Sequence, residues 1–114
     1  LQALLRRGKS IAPFSRLQMA NLILEIEGHR VFREKAKIEL TPKEYALLEL
    51  FMRHQGQIIT RTMISEKVWD VHFDTSTNII DVHVSHLRNK IDKDFEPKLL
   101  HTVKGVGYVL EDRG

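Results

Sequence analysis

The spacing of the apolar residues changes at Thr41, and this change restricts the chain to a mixed α and β fold. Before this position apolar and polar residues alternate, which is typical of strands with one buried face. Turn signals at Glu27-Gly28 and around Lys35 divide the segment. We therefore predict a small antiparallel sheet of about three or four short strands. Its apolar positions are Leu22, Leu24, Ile26, Val31, Ile38 and Leu40.

A helix is predicted to begin directly after Thr41. Pro42 stands at the first helical position and Glu44 at the third, so that Thr41 and Glu44 can form a capping box. An apolar set with helical spacing follows, and Gly56 marks the expected end of the helix. The apolar residues of this first helix are Leu47, Leu48, Leu50 and Phe51.

Two further helices and a hairpin are predicted in the second half of the chain. Thr60 is a candidate N-cap for a helix over "RTMISEKVW", and Ser76 or Thr77 for a helix over "TNIIDVHVSHLRNK", which ends before Pro97. After it, "KLLHTV" and "YVLE" flank "KGVG", which indicates a β-hairpin. The order of elements predicts an α+β fold: a winged helix-turn-helix with an N-terminal antiparallel sheet, three helices and a C-terminal β-hairpin wing.

The third helix has two faces of different character. At about 100° per residue, the apolar residues Ile80, Val84, Leu87 and Ile91 share one side. A solvated face usually carries Lys, Glu, Arg and Gln, whereas the opposite side here is neutral and rich in donors and acceptors. Asn can pair with adenine, Ser with a base or phosphate, and Val with a thymine methyl, so this side predicts a surface for the DNA major groove. Its members are Asn78, Val82, Ser85, His86 and Asn89.

Several charged and aromatic residues are candidates for the DNA backbone. Lys90, Lys104 and Thr102 can bind phosphate, and Arg61 and Thr62 open the second helix, where backbone N–H groups also favour an anion. We expect Asp81 to form a structural ion pair rather than a base contact, whereas Arg88 can serve in either role. Trp69 can donate its indole N–H to the backbone, but a single Trp at a helix end is more often at the edge of the core. Tyr108 and Phe51 are assigned to the core.

Composition excludes several classes of function. Without cysteine the chain has no disulfide, no thiolate zinc site and no cysteine nucleophile. Catalytic sequence motifs such as G-x-S-x-G or a P-loop do not occur, so we expect neither an enzyme nor a cofactor. The net charge of +3 fits a polyanion binder only weakly, because 15 acidic residues accompany 18 basic ones. No apolar run reaches spanning length and no signal peptide is recognisable, so a cytoplasmic protein without a membrane partner is expected.

The six histidines raise the alternative of a metal site. His83 and His86 are three residues apart on one helix, and His72 and His101 can lie nearby. A metal site needs third and fourth ligands, however, and no cysteine or His-Glu-x-x-His pattern supplies them. We therefore expect no metal.

The segments "LTPKEYALLELFMRHQGQIITRTMISEKVW", "TNIIDVHVSHLRNKID" and "FEPKLLHTVKGVGYVLE" resemble the C-terminal effector domain of OmpR/PhoB-family response regulators. The opening "LQALLRRG" is similar to the last helix of the receiver domain that precedes such effectors. The resemblance implies that residues 1–16 are the end of a receiver helix with a linker, and residues 17–112 the winged-helix DNA-binding domain. "VWDVHFDTSTNIIDVHVSHLRNKIDKDFEPKL" is further similar to the heavy-metal branch of copper-responsive regulators, of the CusR, CopR and PcoR type.

The family resemblance implies a transcription factor of a two-component system. A histidine kinase would phosphorylate the receiver domain, and two copies would bind a direct-repeat operator on double-stranded DNA head to tail. The recognition helix would contribute Asn78, Ile79, Val82, His83, Ser85, His86, Arg88, Asn89 and Lys90. The wing and backbone contacts would be Arg61, Thr62, Trp69, Thr102, Lys104 and Gly105. The loop that contacts RNA polymerase would be Asp70, Val71, His72, Phe73, Asp74, Thr75 and Ser76.

One departure from the family pattern concerns two positions often held by Arg in the recognition helix, which are Ser85 and His86 here. Direct guanine contacts by arginine forks are therefore not expected at those two positions. A winged-helix module that binds proteins is the alternative function. The polar third-helix face and the basic, glycine-containing tip favour DNA.

Overall fold

A four-stranded antiparallel sheet opens the described part of the computed structural model, which comprises residues 16–69 and 78–113. Its strands are β1 (Arg16–Met19), β2 (Leu22–Glu25), β3 (Arg30–Arg33) and β4 (Ala36–Ile38), in that spatial order. Leu22, Leu24 and Val31 are buried on its inner face. The predicted sheet is confirmed with four strands. Residues 1–15, which include nearly all of the predicted receiver helix and linker, lie outside the described residues.

The first helix, α1 (Pro42–Arg53), begins with the predicted capping box. The Thr41 hydroxyl accepts a hydrogen bond from the Glu44 N–H at 3.2 Å, and the Glu44 carboxylate accepts one from the Thr41 N–H at 3.0 Å. The helix ends at Arg53, three residues before Gly56. Its apolar face, with Leu47, Leu48 and Phe51, is fully buried.

The second and third helices follow a strand of two residues. Strand β5 (Ile59–Thr60) leads into α2 (Arg61–Val68), and the Thr60 hydroxyl caps α2 by accepting from the Met63 N–H at 3.1 Å. Helix α3 spans Ile79–Ile91. Asn78 occupies its N-cap position, so the prediction of Ser76 or Thr77 as the cap is wrong: the first helical residue follows Asn78 directly, and the Asn78 side chain makes no capping hydrogen bond.

The C-terminal hairpin consists of β6 (Leu100–Val103) and β7 (Gly107–Leu110), and β7 also pairs with β5. Gly107 lies opposite both Val103 and Thr60. A Cβ at Gly107 would stand 2.2 Å from the Ile59 carbonyl oxygen, so only glycine permits this close approach of β7 to β5. The last residue pair of the hairpin before its turn is thereby fixed against the residues that precede α2.

One hydrophobic core joins the two sheets and the three described helices. Helix α1 packs against both α2 and α3. The predicted apolar side of α3, namely Ile80, Val84, Leu87 and Ile91, is completely buried. Ile64 of α2 is buried as well, while Val68 is partly buried at the edge. Among the described helices, none has the combination of length and apolarity that a membrane span requires.

A buried ion pair connects the N-terminal sheet to the end of α3. The Arg33 guanidinium, which is fully buried, binds the Asp92 carboxylate at 2.8 Å and the Ile91 carbonyl at 2.6 Å. It also donates to the Asn21 side chain at 2.6 Å and to the Pro97 carbonyl. The second oxygen of Asp92 accepts the N–H groups that lead into β6, from Leu99 at 3.0 Å and Leu100 at 2.9 Å. Three separate segments are thus held at one point.

We predict that Asp92→Ala lowers the free energy of unfolding by about 3 to 5 kcal/mol, because it leaves a buried guanidinium without its counter-charge. The matched control is Asp94→Ala, which removes the same group from an exposed turn position and should cost no more than about 0.5 kcal/mol. Urea denaturation followed by circular dichroism measures both. Equal losses in the two variants would contradict the role given to the buried pair.

Candidate nucleic-acid interface

The side of α3 that turns away from the core is open to solvent. All five residues of the predicted major-groove surface are exposed, and we call them the groove face: Asn78, Val82, Ser85, His86 and Asn89. Val82 is 40% exposed and Ile79, on the same side of the helix, is 41% exposed. The groove face therefore offers short polar groups with apolar side chains available for contact with a partner.

The hairpin between β6 and β7 ends in an exposed tip, Lys104, Gly105 and Val106, which we call the wing tip. Gly105 has φ of +76°, a conformation that glycine adopts without strain. Val106 is 50% exposed. Sequence reasoning included Lys104 and Gly105 but missed Val106, although its place between the two glycines of "KGVG" was a usable signal.

Three elements meet around Asp81, in the first turn of α3. Its carboxylate lies 3.2 Å from the guanidinium of Arg61, the first residue of α2, and accepts a hydrogen bond from the Tyr108 hydroxyl on β7. The structural ion pair expected for Asp81 is therefore confirmed, with Arg61 as its partner. Tyr108 is 8% exposed, which confirms its assignment to the core.

A second link between α3 and the wing is made by Arg88. Its guanidinium donates to the Thr102 hydroxyl on β6 at 2.7 Å and its central carbon lies 6.0 Å from the centroid of the Tyr108 ring. The start of α2, the exposed flank of α3 and the base of the wing thus form one continuous surface. Thr62, the next residue of α2, is exposed on the same helix start.

Burial and, after it, the hydrogen bond to the Asp81 carboxylate together raise the pKa of the Tyr108 hydroxyl to about 12. The phenol is therefore protonated under all ordinary conditions. A protonated phenol can donate to Asp81 continuously, so the contact between β7 and α3 does not depend on pH near neutrality.

Lys90 points away from the groove face. Its ammonium lies 2.6 Å from the carboxylate of Glu44, a buried residue of α1. Burial disfavours the ionised form of Glu44, but the hydrogen bonds from Lys90 and Thr41 outweigh it and hold the pKa of Glu44 below its usual value. The structure thus brings Lys90 to α1 rather than to the other predicted recognition residues.

His83 lies at the edge of the interface, beside the end of α2. Its Nδ1 is 3.0 Å from the Ile79 carbonyl, and its ring meets the Trp69 ring edge-on with centroids 5.2 Å apart. Trp69 packs at the margin of the core, as expected. Lys43 of α1 lies 5.2 Å from the centroid of the Trp69 ring and donates to the Val68 carbonyl at 2.8 Å. Trp69 is thus enclosed by α1 and α3.

The remaining predictions concern the loop and the metal alternative. The predicted polymerase-contact loop, Asp70 to Ser76, lies outside the described residues. Within residues 16–69 and 78–113, no group of three or more His, Cys, Asp or Glu side chains is arranged to hold a metal ion.

A winged helix with an exposed polar third helix, a basic glycine-containing wing tip and an adjoining helix start is a helix-turn-helix domain of the DNA-binding type. Comparison with known proteins agrees. Residues 34–110 match the family "Transcriptional regulatory protein, C terminal". The chain belongs to this family of C-terminal domains and has the winged-helix fold of the OmpR/PhoB DNA-binding domains.

Transcriptional regulatory protein CusR of Escherichia coli K12 is 50% identical to this chain over 111 residues, which are 97% of this chain and 49% of CusR. The chain thus spans about half the length of this relative. The DNA-binding domain of CpxR from E. coli has a TM-score of 0.74 and 30% identity, covering 87% of this chain and 98% of that domain. The Klebsiella pneumoniae RstA DNA-binding domain, solved in complex with the RstA box, has a TM-score of 0.76 and 25% identity, covering 84% of this chain and 96% of that one.

We predict that Tyr108 ionises near pH 12 in the folded protein, against about 10 for an exposed tyrosine. The measurement is absorbance at the tyrosinate band in a Tyr45→Phe variant. Tyr108 is then the one tyrosine left in the sequence. Because the folded pKa is raised, the stability linked to this proton is fully present below about pH 10 and is lost as pH rises through about 12. A midpoint near 10 in the folded variant would show that the phenol is neither buried nor bound to Asp81.

Proposed function

We propose that this chain is the sequence-specific DNA-binding effector domain of a response regulator that controls transcription. One observation carries the proposal: the exposed groove face of α3 is continuous with the start of α2 and with the wing, through the Arg61–Asp81 and Arg88–Thr102 contacts. In winged-helix proteins the third helix enters the major groove and the wing reaches an adjacent groove or the backbone. The polar groove face and the exposed Lys104 favour DNA over a protein partner.

The residues divide into two roles in this proposal. The groove face reads base edges: Asn78 and Asn89 are suited to adenine, and Val82 with Ile79 to thymine methyl groups. Lys104, Thr62 and Thr102 serve the phosphate backbone, where contacts position the protein without carrying sequence information. His86 and Ser85 are exposed and can contact either a base or a phosphate. His83 and Trp69 lie at the edge of this surface, where they would adjoin a backbone phosphate.

The wider assembly is proposed on the family resemblance. The chain would follow a receiver domain that a histidine kinase phosphorylates, and two copies would bind a direct repeat head to tail. The segment from Asp70 to Ser76, which follows Trp69 in the sequence, would contact RNA polymerase. Because its target is genomic DNA, the protein would act in the cytoplasm.

Selection of duplexes from a random pool tests the proposal, with a pool passed without protein as the background. The 114-residue chain should enrich one direct-repeat sequence. Val82→Ala should enrich a sequence that differs at a single base-pair position, because loss of a base contact costs about 1 to 3 kcal/mol at that position. Lys104→Ala should enrich the unchanged sequence with lower affinity, because a lysine at a hairpin tip acts as a point charge for phosphate.

Lys37→Ala is the matched control for Lys104→Ala, since it removes the same charge from β4 of the N-terminal sheet, where its ammonium is 3.6 Å from Glu39. It should bind like the wild type. Failure of the wild-type chain to enrich any sequence would overturn the proposed function. Identical enriched sequences from the wild type and Val82→Ala would remove Val82 from the groove face.

We further propose that the regulated response is to copper, on the similarity of residues 68–99 to the copper-responsive branch. Transcription from a reporter that carries the selected repeat should then rise on addition of copper in cells that express the full-length regulator. The control is the same reporter with the repeat scrambled. A reporter that responds to other stimuli but not to copper would contradict this part of the proposal.

A further inference from the structure

Asp81 is the single acidic residue of α3 and lies at the proposed DNA interface. A carboxylate there faces the phosphates of any bound duplex, which is unfavourable by charge alone. Its side chain is 41% exposed and that of Arg61 is 38% exposed. Exposed ion pairs of this kind contribute little to folding stability. Folding stability therefore hardly accounts for a carboxylate at this position. An effect of the carboxylate on DNA binding accounts for it better.

The contacts of Asp81 define what that effect is. One carboxylate oxygen is 3.2 Å from the Arg61 guanidinium, and the other accepts from the Tyr108 hydroxyl. Arg61 stands at the first position of α2, where a helix start already favours an anion. The arginine best placed to bind a phosphate at this helix start is thus held by an internal carboxylate that makes the same kind of charge-assisted contact.

We propose that Asp81 is a specificity-determining residue, which competes with DNA phosphates for Arg61 and ties the first turn of α3 to α2 and β7. This inference rests on the proposed function. Binding to arbitrary DNA is supplied almost entirely by phosphate contacts. An arginine retained by Asp81 therefore weakens binding to arbitrary sequences by the full value of one contact.

Binding to the selected repeat depends differently on Asp81. Reading bases requires that α3 enter the groove in a defined orientation, and Asp81 links α3 both to Arg61 of α2 and to Tyr108 of β7. Removing its charge releases Arg61 for phosphate but also loosens this link. The gain on the selected repeat is therefore smaller than the gain on random DNA, so the ratio of the two affinities falls.

The test compares Asp81→Asn with the wild-type 114-residue chain on two probes, the selected repeat and a duplex of scrambled sequence. Asn preserves the size of the side chain and an oxygen for the Tyr108 hydroxyl. The variant should bind scrambled DNA more tightly, with a salt slope steeper by about 0.9. Its advantage should therefore shrink about threefold to fourfold between about 50 and 200 mM salt. The ratio of repeat to scrambled affinity should fall.

Glu27→Gln is the matched control, because it makes the same charge change on an exposed turn of the N-terminal sheet. It should leave both affinities and both slopes as in the wild type. The added slope of Asp81→Asn should also disappear when it is combined with Arg61→Ala. Equal effects of Asp81→Asn and Glu27→Gln would show a general charge effect and overturn the inference, as would an added slope that persists without Arg61.

The outcomes separate this inference from the proposed function. If the wild type binds the selected repeat and Asp81→Asn changes neither slope nor ratio, the inference alone fails. If the wild type binds neither duplex, the proposed function fails and takes the inference with it. Asp81→Ser serves as a second charge-removing variant, and circular dichroism establishes that each variant is folded before binding is measured.

Discussion

The buried ion pair of Arg33 and Asp92 is the constraint on which the arrangement of the domain depends. Neither group can be left alone in the core, because an unpaired buried charge costs several kcal/mol. Arg33 therefore requires the end of α3 at its guanidinium, and Asp92 requires the start of β6 at its second oxygen. Both contacts can form together in only one relative placement of the N-terminal sheet, α3 and the wing. Apolar packing alone tolerates many more arrangements.

Helix α3 is consequently held at both ends by polar contacts and along its length by apolar ones. Its last turn is fixed by Asp92 and its first turn by Asp81, while Val84 and Leu87 pack into the core between them. Base reading depends on where each side chain stands along the groove. A helix secured in this way presents the groove face as a rigid unit, so that little ordering remains to be done on binding.

Local signals explain which features were predictable from the sequence. The capping box at Thr41, the cap at Thr60 and the two faces of α3 follow from the spacing of residues that are close in the sequence. The partners of charged residues cannot be read from such spacing, because they are distant in the sequence. Asp92 is 59 residues from Arg33, and Glu44 is 46 residues from Lys90. Lys90 was accordingly assigned to phosphate, although its ammonium binds Glu44 of α1, and the Arg33 pair was not anticipated at all.

The wing shows a contrast between its paired strands and its tip. At the start of β7, Gly107 admits no side chain because the Ile59 carbonyl lies against it, whereas a Cβ at Gly105 would have no heavy atom within 4 Å and would be opposed only by the positive φ of that residue. Lys104 and Val106 at the tip can therefore change without disturbing the core, while Gly105 is retained for its positive φ. The wing tip is thus a part of the surface whose charge and shape can vary at little cost to the stability of the domain that carries it.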